Sequence, residues 1–421
     1  MAVPTFSMAE RDRRWNLART FMERQGLDAM VVFGEHEDSG PATVAYDTWF
    51  TNSRAGTTII FPRAGEPLSL LPMTTFTMDY MESSRRGDTI WIPAKNLRLY
   101  TTSSTISNVL KELHLGKSII GVVGLEGYPP WHPEGIVPFT LWNNVLAQFP
   151  NATFEPVASA FSRLIMPQSK EEIAVVRHSA SIGDAMAQAM VETAAVGVSE
   201  SAVYAAGMSV GFSLGAIPSA MHFWSGSDPV ASGWPQWGYR PQEPRTLQQS
   251  DVIYAEVFSN FGSHHTQHQV LIAVGEVHED FKRATRVARA VYDAGLQALR
   301  QGRKFSDFVK DMLKPMEGAG GWVIGPAVHG LNPLVGLGGF PADINQVPGA
   351  EAFPPARDYP TMYGDMILEP GMCFAFEPNY AFGRHVAHLG GTVIVGEDKP
   401  IECSPYTAQM LQAAGTTVAG T

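Results

Sequence analysis

The chain has 421 residues, 45% of them hydrophobic, a formal net charge of −11 and a pI of about 5.6. That acidity excludes a basic nucleic-acid-binding surface, because phosphate contacts need clustered Lys and Arg. The two cysteines, Cys373 and Cys403, stand far apart; this excludes a Cys-x-x-Cys zinc or thioredoxin-type centre and fits a reducing cytoplasm.

The N-terminus, MAVPTFSMAERDRRWN, is polar and charged where a signal peptide is apolar. No run approaches the roughly 18 apolar residues of a membrane span. A cytoplasmic location is expected. Residues 9–26 read as an amphipathic helix and LDAMVVFG (27–34) as a buried strand. TTIIFP (57–62), EPLSLLP (66–72) and SIIGVVGLEG (118–127) read as further strands, and TLWNNVLAQFP (140–150) as a helix ending at proline. This alternation predicts an α/β domain over residues 1–162.

The remainder, residues 163–421, has a different rhythm. Ser169 followed by Glu172 is a capping box before a long helix over 166–194. A second helix follows Ser199. DVIYAEVFSNFGSHHTQHQVLIAVGE (251–276) reads as two strands about a turn at residues 260–262. Helices are expected over 278–300 and 304–318, then strands in MCFAFEPNY (372–380) and GTVIVGE (391–397). Helices paired with hairpins in this order predict an α+β domain, a curved antiparallel sheet covered by helices. The loop FWSGSDPVASGWPQWGYRP (223–241) is dense in rings, as loops lining apolar pockets are.

Three segments carry a resemblance to a known family: MPQSKEEIAVVRHSASI, GVSESAVYAA and, most specifically, LEPGMCFAFEPNY. They resemble the pita-bread fold of methionine aminopeptidase, aminopeptidase P, prolidase and creatinase. The two-domain length matches the creatinase and prolidase branch. The resemblance implies five metal-ligand positions for two ions in the peptidases. Carried over, these fall on Glu256, Gln267, His329, Glu377 and Gly390. A neutral amide and a glycine replace two ligands, and paired divalent ions need several carboxylates to offset and bridge their charge. The resemblance to creatinase, which keeps the fold without the metal cluster, therefore implies acid–base chemistry with no cofactor. A single Zn or Fe ion at His329, Glu377, Glu256 and either His265 or His388 is the alternative.

HHTQHQ (264–269) is the densest histidine cluster. Strand alternation puts His265, Gln267 and Gln269 on the site face and turns His264 and His268 away, as hydrogen-bonded surface or subunit-contact residues. His388 shares the face of Gly390 and is expected to reach the space left by the missing Glu. The expected catalytic set is His329, Glu377, Glu256, Gln267, His265 and His388. The expected substrate-binding set is His222, Trp224, Trp237, Tyr239, Arg240, Tyr380 and Trp49. The reading is a metal-independent, non-peptidase hydrolase of a C–N bond in a small molecule. Its alternatives are a lyase acting on a partly apolar or aromatic substrate, a mononuclear metallohydrolase, and a non-catalytic binding protein. A homodimer is expected, its N-terminal domain reaching the neighbouring site.

Overall fold

A computed structural model describes residues 3–35, 45–127, 132, 134–339, 341 and 343–416. The chain divides into two compact units, Thr5–Ile165 and Met166–Thr421, the latter with the first four residues.

The first unit runs α1 (Met8–Gln25), β1 (Ala29–Phe33), α2 (Tyr46–Thr51), β2 (Thr58–Pro62), β3 (Leu68–Leu71), α3 (Thr74–Arg86), β4 (Leu97–Leu99), α4 (Ser103–Glu112), β5 (Ile119–Val123), α5 (Phe139–Gln148), β6 (Thr153–Pro156) and α6 (Ala158–Ile165). Its sheet has the order β4-β3-β2-β1-β5-β6. The central strand β1, AMVVF, is buried throughout, as a strand covered on both faces must be. Helix α1 begins where the Ser7 hydroxyl accepts the Glu10 N–H and ends at Gly26, whose φ of 72° suits a residue without Cβ. Val31, Ile60, Leu70 and Val122 meet Ile106 and Leu110 of α4 in the core. Helices α2, α3, α4 and α6 lie where the sequence pattern does not predict a helix.

The second unit runs α7 (Lys170–Thr193), α8 (Glu200–Ser213), β7 (His222–Gly226), β8 (Val252–Phe261), β9 (His264–Ala273), α9 (Glu279–Ala298), α10 (Phe305–Leu313), β10 (Val328–Leu331), β11 (Cys373–Phe376), β12 (Asn379–Phe382), β13 (His385–His388), β14 (Gly390–Ile394), β15 (Ile401–Glu402) and β16 (Leu411–Gln412). Both halves of the capping box at Ser169 and Glu172 form. The main sheet has the order β10-β11-β14-β9-β8-β7, antiparallel at each step, while β12 and β13 form a separate hairpin. Ile182 and Met186 of α7 pack on Ala255, Val257, Val270 and Ile272. Val291 of α9 and Phe308 of α10 pack around Val328, Phe374 and Phe376. The α+β class and curved antiparallel sheet match the sequence reading.

The β8–β9 turn falls at Gly262 and Ser263, with φ of 56° and 58°, at the end of the expected 260–262 and one residue past it. Its register therefore pairs Glu256 with Gln269 and Phe258 with Gln267. Among the described residues no helix is long and apolar enough to cross a membrane.

Candidate active site

One face of the second sheet gathers the titratable residues. On β8 and β9, Glu256 and Gln269 stand opposite one another, and on β7 His222 stands opposite Glu256. Residues directly opposite place their side chains on the same face. Glu256 thus receives a partner from each side: His222 Nδ1 lies 3.0 Å from Oε2, and the Gln269 amide donates to Oε1 at 3.2 Å. The His222 ring stands edge-on between Trp234 and Phe258, with centroids 4.9 and 5.1 Å away.

His329, on β10, is held at its other end. Its Nδ1 lies 2.8 Å from the Gly330 carbonyl oxygen, which accepts only, so Nδ1 carries the proton. The Gln267 amide oxygen lies 3.0 Å from Nε2. A neutral ring has one N–H, so the amide turned end for end, donating its NH2 to Nε2, satisfies both groups. Burial disfavours the second proton, holding His329 below the usual histidine range.

The carboxyl of Glu377 stands between two imidazoles. Oε1 is 3.4 Å from His329 Nε2 and Oε2 is 4.0 Å from His388 Nε2. Both ring nitrogens of His388 are buried without a hydrogen-bond partner among the described residues. Its ring lies against Tyr254 at 5.1 Å, and burial pushes its pKa down to about 4. The two carboxyls separate in charge. Burial, reinforced by the charge of Glu256, pushes Glu377 well above the carboxylate range. Burial also presses Glu256 upward, but the hydrogen bond from His222 and the nearby imidazoles bring it below that range. Between the two, a proton favours Glu377 over Glu256.

The remaining residues singled out in the sequence lie in varied settings. The Asn332 side chain clamps the His265 backbone, accepting from its N–H at 2.8 Å and donating to its carbonyl at 2.9 Å; His265 Nδ1 has no partner among the described residues. His264 and His268 do turn away from the site, but they are buried under α7 rather than at the surface. His268 is fully buried and lies 3.2 Å from Asp184. Trp237 packs edge-on against Tyr204 at 5.4 Å, while Tyr239 and Arg240 are exposed. Trp224 is half-buried on β7. Tyr380 is a buried structural residue whose hydroxyl accepts the Gly321 N–H at 2.8 Å. Trp49 lies in the first unit, buried against Phe50 and Phe161. The sequence reading missed Gln269 as a partner of Glu256 and placed His222 only among substrate contacts. Their alignment with Glu256 follows from the register, which depends on the turn position.

The model of metallopeptidase family M24 matches residues 174–397. The chain belongs to metallopeptidase family M24. No curated protein matches it significantly. Among solved structures it is similar to X-Pro aminopeptidase from Thermotoga maritima MSB8, at 13% identity and a TM-score of 0.71, over 94% of this chain and 99% of that one. It is similar to Xaa-Pro dipeptidase from Bacillus anthracis, at 14% identity and a TM-score of 0.70, over 96% and 99%. Dipeptidase PepE from Mycobacterium ulcerans follows at 17% identity and a TM-score of 0.69, over 97% and 99%. The pita-bread fold with an N-terminal domain is thereby established for this M24 member.

Membership corrects three expectations. The family is one of metallopeptidases, so the metal-independent, non-peptidase reading and the expectation of no cofactor are overturned. The lyase reading has no counterpart among these matches. The residues do not, however, fit the two-ion set that the resemblance implied. At Gly390 the φ is 127°, and a Cβ would lie 2.1 Å from the Phe376 carbonyl oxygen, so the backbone has no room for a ligand side chain there. Gln267 is neutral, and both oxygens of Glu256 already have partners. For a single ion the candidate donors are His329, Glu377 and His388. His329 Nδ1 binds a backbone carbonyl, the usual outer-shell arrangement of a ligating histidine, and Nε2 would have to exchange its Gln267 partner for the ion. His388 offers unpartnered nitrogens, and Glu377 lies between them.

Proposed function

We propose that this M24 enzyme hydrolyses an amide-type C–N bond in a small, dipeptide-sized substrate, with one divalent ion held by His329, Glu377 and His388. The observation that carries this reading is the Glu377 carboxyl set between two buried imidazoles, 3.4 and 4.0 Å from their nitrogens. Two imidazoles and a carboxylate suit zinc or ferrous iron. A bound ion of this kind polarises a carbonyl and acidifies a water.

The chain's own residues handle the proton. The Glu256 carboxylate accepts from His222 Nδ1–H, which fixes the tautomer and leaves Nε2 as the basic nitrogen. His222 takes a proton as water adds to the carbonyl and returns it to the departing nitrogen. Gln269 donates to the second oxygen of Glu256. Trp234 and Phe258 hold the imidazole in one plane and surround the site with apolar surface, which favours a substrate with an apolar or aromatic part. The names of the similar structures make Xaa-Pro dipeptides the first substrates to try.

Elemental analysis and a dipeptide panel test the reading together. Wild-type protein is expected to retain one more equivalent of metal than Glu377→Gln, and chelation is expected to abolish hydrolysis until metal is restored. Two more equivalents than the variant, or hydrolysis undiminished by chelation, would refute the one-ion site. No hydrolysis of any dipeptide or small amide by the metal-loaded enzyme would refute the activity.

A further inference from the structure

We propose a second, peripheral transition-metal site formed by His278, Asp280 and His385. His278 caps the N-terminus of α9, Asp280 lies in its first turn, and His385 opens β13. One donor atom from each lies within 4.8 Å of the other two. The imidazole rings stack at 4.1 Å with an interplanar angle of 7°, so the exposed His278 must rotate out of the stack for both lone pairs to meet one ion. Their Nδ1 atoms both face Asp280 Oδ2, at 3.6 Å from His278 and 3.9 Å from His385.

Asp280 divides its two oxygens between neighbours. The Arg283 guanidinium takes the other carboxylate oxygen, Oδ1, at 3.0 Å, leaving Oδ2 for the imidazoles. Arg283 is itself held over the Phe382 ring at 3.9 Å. His385 Nδ1 is buried with no hydrogen-bond partner among the described residues, and Phe281 closes one side of the ring at 4.9 Å. A buried imidazole nitrogen without a partner costs free energy that a metal bond recovers. His278 is exposed, so solvent completes the coordination. Two nitrogens and one oxygen suit Zn, Ni or Cu in the +2 state, with Cu bound most tightly.

The location gives the site a consequence. His385 and His388 are the two ends of β13, where the register pairs Phe382 with His385 and Asn379 with His388. An ion at His385 ties the tip of this hairpin to the start of α9, while His388 at its base faces Glu377. Binding costs one existing bond, because His278 Nδ1 now accepts the Asp280 N–H at 3.2 Å.

The test is equilibrium binding of Zn²⁺ and Ni²⁺ to the full-length protein stripped of metal. Glu377→Gln is expected to retain this binding event, which separates it from the ion proposed at the active site. His385→Ala is expected to lose it, with affinity falling roughly tenfold or more. His278→Asn keeps a helix cap but loses the imidazole; it is expected to lose binding while its melting temperature without metal stays near wild type. Added Zn²⁺ is expected to raise the melting temperature of wild type but not of His385→Ala. Isotherms of His385→Ala and His278→Asn that superimpose on wild type would overturn the site. So would loss of all high-affinity binding in Glu377→Gln with the fold intact.

Discussion

The two faces of β9 put similar residues to opposite uses. Facing α7, His268 lies 3.2 Å from Asp184, and Thr266 lies 3.3 Å from Ser179, which also reaches Ser259 at 3.2 Å. The α7 backbone makes room through Gly183, where a Cβ would lie 2.0 Å from His268 Nε2. On the site face, polar atoms are left over: Gln269 Oε1 and His265 Nδ1 lack partners among the described residues, as do both nitrogens of His388 nearby. Burying a polar atom without a partner is costly. Complete pairing on one face and incomplete pairing on the other therefore separates the face that holds the fold from the face that awaits a ligand.

The sharpest test of that contrast is His329→Ala. It removes a buried imidazole, bonded to Gly330 and Gln267, from the ligand face. Hydrolysis of whichever dipeptide the wild type cleaves is expected to fall by about 10²–10⁴-fold in kcat. Thermal unfolding should show the fold retained, with a Tm loss no larger than that of His268→Ala. A loss of less than tenfold would place the chemistry elsewhere.

The matching change on the other face is His268→Ala. It empties a fully buried position and removes the imidazole partner of Asp184. Urea unfolding should report a loss of roughly 2–4 kcal/mol, while kcat/KM stays within about threefold of wild type. A large drop in kcat/KM with unchanged stability would erase the distinction between the faces.

Much of this division was legible in HHTQHQ before any coordinates, because side chains on a strand alternate. Alternation assigned Gln267 and His265 to one face and His264 and His268 to the other. It did not reveal that His268 is fully buried, since that depends on a glycine eighty-five positions away, Gly183, passing over it. The start of α7 was legible because Ser169 and Glu172 act locally. The union of His222, Glu256 and Gln269 was not, because cross-strand partners depend on the centre of the turn, and the turn at Gly262–Ser263 shares only Gly262 with the expected 260–262. β7 was hidden in the aromatic loop, whose rings suggested a pocket rather than a strand. The separation of Glu256 from Glu377 in charge follows from burial and neighbours, which only the assembled fold supplies.

A third prediction concerns acid. His265 titrates near 6.5 when unfolded and at about 4 in the fold, because burial and the neighbouring His264 disfavour its charge. Between those values the unfolded chain binds more protons, so stability falls as pH drops from about 6.5 to about 4. The interval sets a ceiling of about 3 kcal/mol, and the residue's partial exposure reduces the expected loss to roughly 2 kcal/mol. Measuring unfolding free energy against pH for wild type and His265→Gln isolates the effect. The variant should lose less stability across this window. Parallel curves would remove His265 from the set of residues held neutral by the fold.

The smallest expected effect is also the most diagnostic of how the site face works. Gln269→Leu deletes the amide that donates to Glu256 Oε1 while leaving His222 on Oε2. Glu256 is then held ionised by fewer partners against the same burial, so its pKa must rise. The loss of one charge-assisted hydrogen bond is worth about 1.5–3 kcal/mol to the carboxylate. The stability cost should be smaller, about 1 kcal/mol, because protonation relieves the unpaired oxygen. Activity at neutral pH should fall by about tenfold or less, and the acidic limb of the kcat/KM profile should move to higher pH. A uniform drop across the profile, with its limb unmoved, would mean that Gln269 positions the strand and has no part in setting the charge of Glu256.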